Sequence, residues 1–248
     1  ATVVAHLRTA GAVILAKTTL TELANWVAED MPNGYNPVAG FSLNPYDPRV
    51  DPRPGLEGRS VLDSGGSSSG VGTAASLWAA SVGTETSGSI LSPSTQTGLV
   101  GIKPTVGRVS RHGIIPITAD QDTPGPMART VTDAAVMLGA MEGPRPDPAD
   151  PATGRCPVPP GRDYTRFLKR DALRGARIGV PRRGYNQPDG SGLTAAMAGA
   201  LELLRTLGAT VIDPIEIPSV VDPDPDSNLR AWPICAGASR GRAGDVHC

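Results

Sequence analysis

The chain has 248 residues, of which 39% are hydrophobic and 19% charged, with a formal net charge of −1. That length suffices for one large domain or two small ones with a real core, and the neutral balance, without a basic patch threaded by aromatics, removes the electrostatic case for nucleic acid. No apolar run approaches the ~18 residues of a membrane span, and no basic region followed by an apolar stretch marks a secretory leader.

Val3, Val4 and Leu7 suit a short helix ending near Gly11, and the β-branched run "AVIL" (12–15) reads as a buried strand. Thr19, three residues before Glu22, has capping-box spacing for a helix over "TTLTELANWV". Residues 30–57, rich in Pro, Asn, Gly and Asp, read as a long irregular loop. After "SGGSSSG" (64–70), the small residues of "VGTAASLWAA" tolerate a helix, and "SVG" and "LVGIK" look like short buried strands. "TVTDAAVMLGAM" (130–141) is a helix capped by Thr130 or Thr132, with Ala134, Val136, Met137, Leu138 and Met141 on its apolar face. Seven prolines make 143–162 a non-helical connector. Beyond it come a strand at "ARIGV" (176–180), an amphipathic helix over 193–209 closed by Gly208, and a strand at "TVID" (210–213). Strands alternating with helices argue an α/β sheet with helices on both faces; the strands either side of the proline run could form two lobes or join one sheet.

Three cysteines (Cys156, Cys235, Cys248) show no metal-binding spacing, and so sparse and odd a count fits a reducing compartment, the cytoplasm. The histidines His6, His112 and His247 are dispersed and carry no HExxH, which argues against a metal enzyme.

Taken alone, "SGGSSSG" looks like a flexible linker. Three chemical readings compete with that. Gly66 to Gly70 fits G-x-S-x-G, with Ser68 as a nucleophile that would need an acid and then His112 or His247 downstream. Gly70 to Ala75 fits the permissive dinucleotide pattern G-x-G-x-x-A, although the preceding strand is weak and no acidic residue follows at the right place. The third reading begins with lysine, since the chain has three, Lys17, Lys103 and Lys169, against twenty arginines. Lys17 ends an apolar run where burial would lower its pKa and leave a neutral amine able to act as base. A second serine cluster, "TETSGSILSP" (84–93), places Ser89 after Gly88 in a tight turn. A serine nucleophile with a lysine base needs no histidine. Each feature also has an ordinary reading: a lysine at a strand end snorkels to solvent, and a Ser/Gly run is a loop.

"GAVILAKTTLTELANW", "SGGSSSG", "GTETSGSILSPSTQTGLVGIKPTVGRVS" and "DTPGPMARTVTDAA" occur in this order from residue 1 to about 142. Together they resemble the amidase signature hydrolases, with a looser likeness through 193–213 and a flavour similar to the peptide-amidase-like branch. The resemblance implies a mixed β-sheet core flanked by helices on both faces, here incomplete. It also implies a Ser–cis-Ser–Lys triad that cleaves a linear carboxamide through an acyl-serine intermediate, without metal or organic cofactor. Ser89 matches the nucleophile. Ser67, with a cis bond to Gly66, matches the bridging serine, and Lys17 matches the base. The backbone N–H groups of Thr86, Ser87, Gly88 and Ser89 match the oxyanion hole. Lys103 and Asp122 also fall in matching motifs, with structural and hydrogen-bonding roles expected of them.

The chain departs from the family pattern in three respects. Ser67 and Ser89 are 22 positions apart, two fewer than usual, and two residues lost from a helix rotate the succeeding segment by about 200°. Ser87 stands where Gly or Asp is usual, and Glu85 where Asp is commonest. Family domains are also about twice this length. The expected organisation is therefore an amidase signature core at 1–142, a connector at 143–162 and a partial remainder of the same domain at 163–248. The expected partner is a small-molecule or peptide amide, with neither nucleic acid nor membrane involved. The second expectation is a catalytically silent remnant, or a piece that needs a complementary chain or a second copy of itself.

Overall fold

A computed structural model of the chain describes residues 1–25, 31–55, 58–183, 185 and 192–228. Two units make up the chain, Ala1–Phe167 and Leu168–Cys248. The first opens with α1 (Thr2–Thr9), whose Val3 and Leu7, one turn apart, are buried. They form the apolar core with Val109 and with Leu138 and Met141.

The strand expected at 12–15 does not form: Val13 and Leu15 are 80% and 67% exposed. A strand buried on both faces needs neighbours to take its backbone groups and cover its sides, and no described strand pairs with this run. Thr19 caps no helix either. Glu22–Asn25 is one 3-10 turn in which Leu23, Ala24 and Asn25 take positive φ, a conformation that cannot continue a right-handed helix. The rest of that expected helix, from Trp26 on, lies outside the described residues. Two short strands, β1 (Tyr35–Asn36) and β2 (Gly40–Phe41), pair antiparallel within the irregular stretch.

Then follow α2 (Ser69–Ala74), β3 (Ala80–Glu85), α3 (Leu91–Gln96), β4 (Val100–Gly101) and β5 (Thr123–Ala128). The three strands form an antiparallel sheet in the order β3–β5–β4. "TPGPMA" does not read as a strand, yet β5 is its centre and all six residues are buried. A strand residue points its N–H and C=O to the same neighbour, and the Pro126 carbonyl accepts from Ile102 N–H at 3.1 Å. The missing N–H groups of Pro126 and, by alternation, Pro124 therefore face the side where β4 is two residues long. The ladder to β3 keeps its donors.

Helix α4 (Val131–Met141) starts as expected, with Thr130 Oγ1 accepting from the Asp133 N–H at 3.1 Å. Ala134, Leu138 and Met141 are buried, whereas Val136 is exposed. Residues 143–162 belong to this same unit and contain two 3-10 turns, at Pro151–Arg155 and Pro160–Arg162. At the C-terminal end of α4, Glu142 is 2% exposed. Its carboxylate accepts from the Arg108 guanidinium at 3.1 Å and from the Tyr164 hydroxyl at 2.9 Å. Burial, and then the Glu142 carboxylate, push the Tyr164 phenol up to about 12.

In the second unit β6 (Arg177–Pro181) and β7 (Thr210–Ile215) pair in parallel, with α5 (Gly192–Thr206) between them in sequence and α6 (Pro218–Val221) after them. This is the βαβ arrangement that a parallel pair requires. The strands on either side of the proline run thus belong to different sheets. The chain is mixed α/β, and no helix among the described residues is long and apolar enough to cross a membrane.

Candidate active site

The two serine-rich motifs meet. Gly65 turns at φ +71°, and a Cβ there would fall 2.5 Å from Pro93 Cα, so glycine is required on both counts. A Cβ on Gly66 would lie 3.0 Å from Ser89 Oγ. The Ser67 N–H donates to the Ser89 carbonyl at 3.1 Å. The shortened connection between the motifs therefore does not part them. Only six residues of helix form in α2, and Ser76, at φ 60°, turns the chain before β3.

Serines 67 and 69 have a structural duty as well. β3 is an edge strand whose inner side pairs with β5, so its outer backbone groups need partners. Ser67 Oγ donates to the Thr84 carbonyl at 3.1 Å and accepts from the Thr84 N–H at 3.2 Å. Ser69 Oγ donates to the Val82 carbonyl at 3.0 Å, and Thr73 Oγ1 to Ser81 Oγ at 2.9 Å. Hydroxyls along 67–73 thus stitch α2 and the turn before it to β3. Ser67 is 1% exposed.

Between β3 and α3 the loop Thr86–Ser89 turns through Gly88 at φ +89°. Among the described residues, none of its four N–H groups donates a hydrogen bond. Its two ends are tied down. Glu85, 4% exposed, accepts through Oε2 from the N–H groups of Ile90 and Leu91 at 2.7 and 2.9 Å. Thr86 Oγ1 donates to Asp122 Oδ1 at 2.6 Å, and Lys103 Nζ donates to the Thr86 carbonyl at 2.7 Å. Ser89 is half-buried beside this row of free donors, and Ser87 is exposed. A half-buried hydroxyl flanked by four unpaired N–H groups can meet a carbonyl carbon while the donors receive its oxygen.

Lys17 is exposed and is not hydrogen-bonded through its Nζ to Ser67 or Ser89. The expected burial depended on a strand at 12–15 that does not form. The Gly66–Ser67 bond is trans rather than cis. A cis non-proline bond costs ~2.5–4 kcal/mol, and with the Ser67 hydroxyl satisfied by Thr84 nothing here compels it. Ser68, the alternative nucleophile, buries its Oγ without a hydrogen-bond partner. His112 Nδ1 lies instead 3.1 Å from Thr2 Oγ1, and His247 lies outside the described residues. Two cavities, of about 270 Å³ around Gly139 and Tyr164 and about 460 Å³ around Asp51 and Arg53, include neither serine of the pair. The anchors Glu85, Lys103 and Asp122 were visible in the sequence as motif residues, but not as three partners of one loop.

A family model described as "Amidase" matches residues 1–232. The chain belongs to the amidase family. A glutamyl-tRNA(Gln) amidotransferase subunit of Thermosynechococcus vestitus is 40% identical over 212 residues, covering 86% of this chain and 40% of that one. A probable amidase of Arabidopsis thaliana is 39% identical over 222 residues, covering 88% and 39%. Among solved structures, the native peptide amidase of Stenotrophomonas maltophilia superposes with a TM-score of 0.73 at 44% identity, covering 87% and 41%. The chain therefore spans about two fifths of the length of these amidase-family relatives.

Proposed function

We propose that the protein of which these residues form the amidase part hydrolyses a linear carboxamide through an acyl-serine intermediate at Ser89. Membership of the amidase family and the proximity of Ser89 to Ser67 beside four unpaired N–H groups support this reading. Ser89 Oγ attacks the amide carbon and its proton passes through Ser67 toward Lys17. The carbonyl oxygen, now negative, takes hydrogen bonds from the N–H groups of Thr86, Ser87, Gly88 and Ser89. The proton then goes to the leaving nitrogen, which departs as ammonia or an amine. Water repeats the sequence on the ester, releasing the carboxylate and restoring Ser89. The likeness to a peptide amidase favours peptide amides as the substrate class, and the sparse cysteines favour the cytoplasm.

A specific observation favours a second reading, in which the 248 residues alone are silent and a complementary chain completes them. Lys17 is exposed and unbonded to the serines, in a chain spanning two fifths of its relatives. A fluorophosphonate probe separates the two. Labelling of the wild-type chain that disappears in Ser89→Ala and falls at least a hundredfold in Lys17→Ala supports the hydrolase. An unlabelled wild-type chain sinks hydrolysis by these residues alone.

A further inference from the structure

We propose that Glu85 and Asp122 are positioning residues that clamp the two ends of the loop 86–89 and so keep its N–H groups free for the reaction. The inference rests on the reading of Ser89 as nucleophile. The loop is half-buried to exposed, so its four N–H groups, unpaired within the protein among the described residues, stay open to a substrate oxygen only as long as the loop keeps this shape. The natural collapse would turn the loop into helix or draw its amides onto nearby oxygens.

Glu85 blocks that collapse at the α3 end. Its Oε2 takes the N–H groups of Ile90 and Leu91, the first two amides after the loop, so the start of α3 is satisfied by a carboxylate rather than by loop carbonyls. Asp122 acts at the other end. Its Oδ1 holds the Thr86 hydroxyl at 2.6 Å, while Oδ2 accepts from the N–H groups of Ile117 and Thr118 at 2.7 and 3.0 Å. Three of its about four accepting sites are used, and Thr86 is fixed to a second loop rather than to its own strand. Lys103 fixes the Thr86 carbonyl from a third direction. Thr86 therefore has its hydroxyl and carbonyl committed and its N–H left over. Both carboxylates act through their neighbours, and neither needs to touch substrate.

The test measures phosphonylation of Ser89 by a fluorophosphonate probe, resolved into reversible binding (KI) and the bond-forming rate (kinact), in the 248-residue chain. Glu85→Ala and Asp122→Ala should each lower kinact about tenfold or more, with KI little changed, because one lost oxyanion donor costs ~10²–10³ and a loosened one part of that. Glu85→Gln and Asp122→Asn, which retain an oxygen of the right reach, should recover most of the rate. Should Asp122→Ala fail to fold, Thr86→Val removes the single hydroxyl bond at constant volume and should slow kinact in the same way. Alanine variants that label at the wild-type kinact, or a loss confined to KI, overturn the clamp while leaving the hydrolase standing. A wild-type chain that never labels overturns hydrolysis by these 248 residues alone, and the clamp's role in this chain with it.

Discussion

Ser67 and Ser68 are adjacent, equally small and both buried, yet their hydroxyls stand in opposite situations. Ser67 Oγ serves the Thr84 N–H and C=O together, whereas Ser68 Oγ has no partner. Removing a partner from a buried backbone group costs ~1–3 kcal/mol, whereas removing an unsatisfied hydroxyl costs nothing and can stabilise. Ser67→Ala should therefore lower the urea midpoint as well as any activity, and Ser68→Ala should leave the midpoint unchanged or raise it. Equal losses in the two variants would refute this assignment of the hydroxyls. Lost activity in Ser67→Ala accordingly counts as loss of a proton bridge only after correction for the folded fraction. Nothing in "SGGSSSG" distinguishes the two serines by type. Their difference comes from the edge of β3 lying alongside one of them.

At the scale of elements, the helix 130–141 was legible because its signals are local: a threonine cap and a small apolar face one turn apart. β5 was illegible because its sequence, "TPGPMA", carries turn residues. Its place as a central strand depends on a short neighbour, β4, which leaves the proline side without a ladder to satisfy. The strand expected at 12–15 failed for the reverse reason, since its local signal is strong but no described strand pairs with it. The C-terminal end of α4 offers a test of how the following segment is held. Glu142 is 2% exposed and its ion-pair partner Arg108 has a side chain 22% exposed. Arg108→Leu would leave a buried carboxylate with the Tyr164 hydroxyl alone. The expected loss is about 3 kcal/mol, toward the low end for a broken buried pair because the guanidinium is partly solvated. Urea unfolding measures it, and a change below ~1 kcal/mol would place this pair with ordinary surface contacts.

Across the molecule, acidic side chains tie distant segments together, and this sets a direction for the response to acid. Asp150 is joined to Arg111 across 39 positions by a bidentate pair, with Oδ1 accepting from Nη2 at 2.6 Å and Oδ2 from Nε at 2.9 Å. The Arg111 guanidinium holds the Asp150 carboxyl below its ordinary 3.8, although burial acts in the opposite sense. A carboxyl depressed in the folded state binds its proton more weakly there than in the unfolded chain. Its stabilisation is complete above 3.8 and is lost as pH falls through the lower folded value. Stability of the first unit should therefore decline below about pH 3.8, and Arg111→Ala should flatten that decline; an unchanged acid limb of the stability curve would exclude this pair as its source. Motif order and apolar periodicity are written along the chain, and they were enough for the family, the α/β class, the serine motifs and the principal helices. Tertiary contacts supplied the remainder: Ser67 meets Ser89, Glu85 and Asp122 converge on one loop, β5 is central, and Lys17 is exposed without a hydrogen bond to either serine. Each of these depends on which backbone edges and faces find partners across distances that no local pattern encodes.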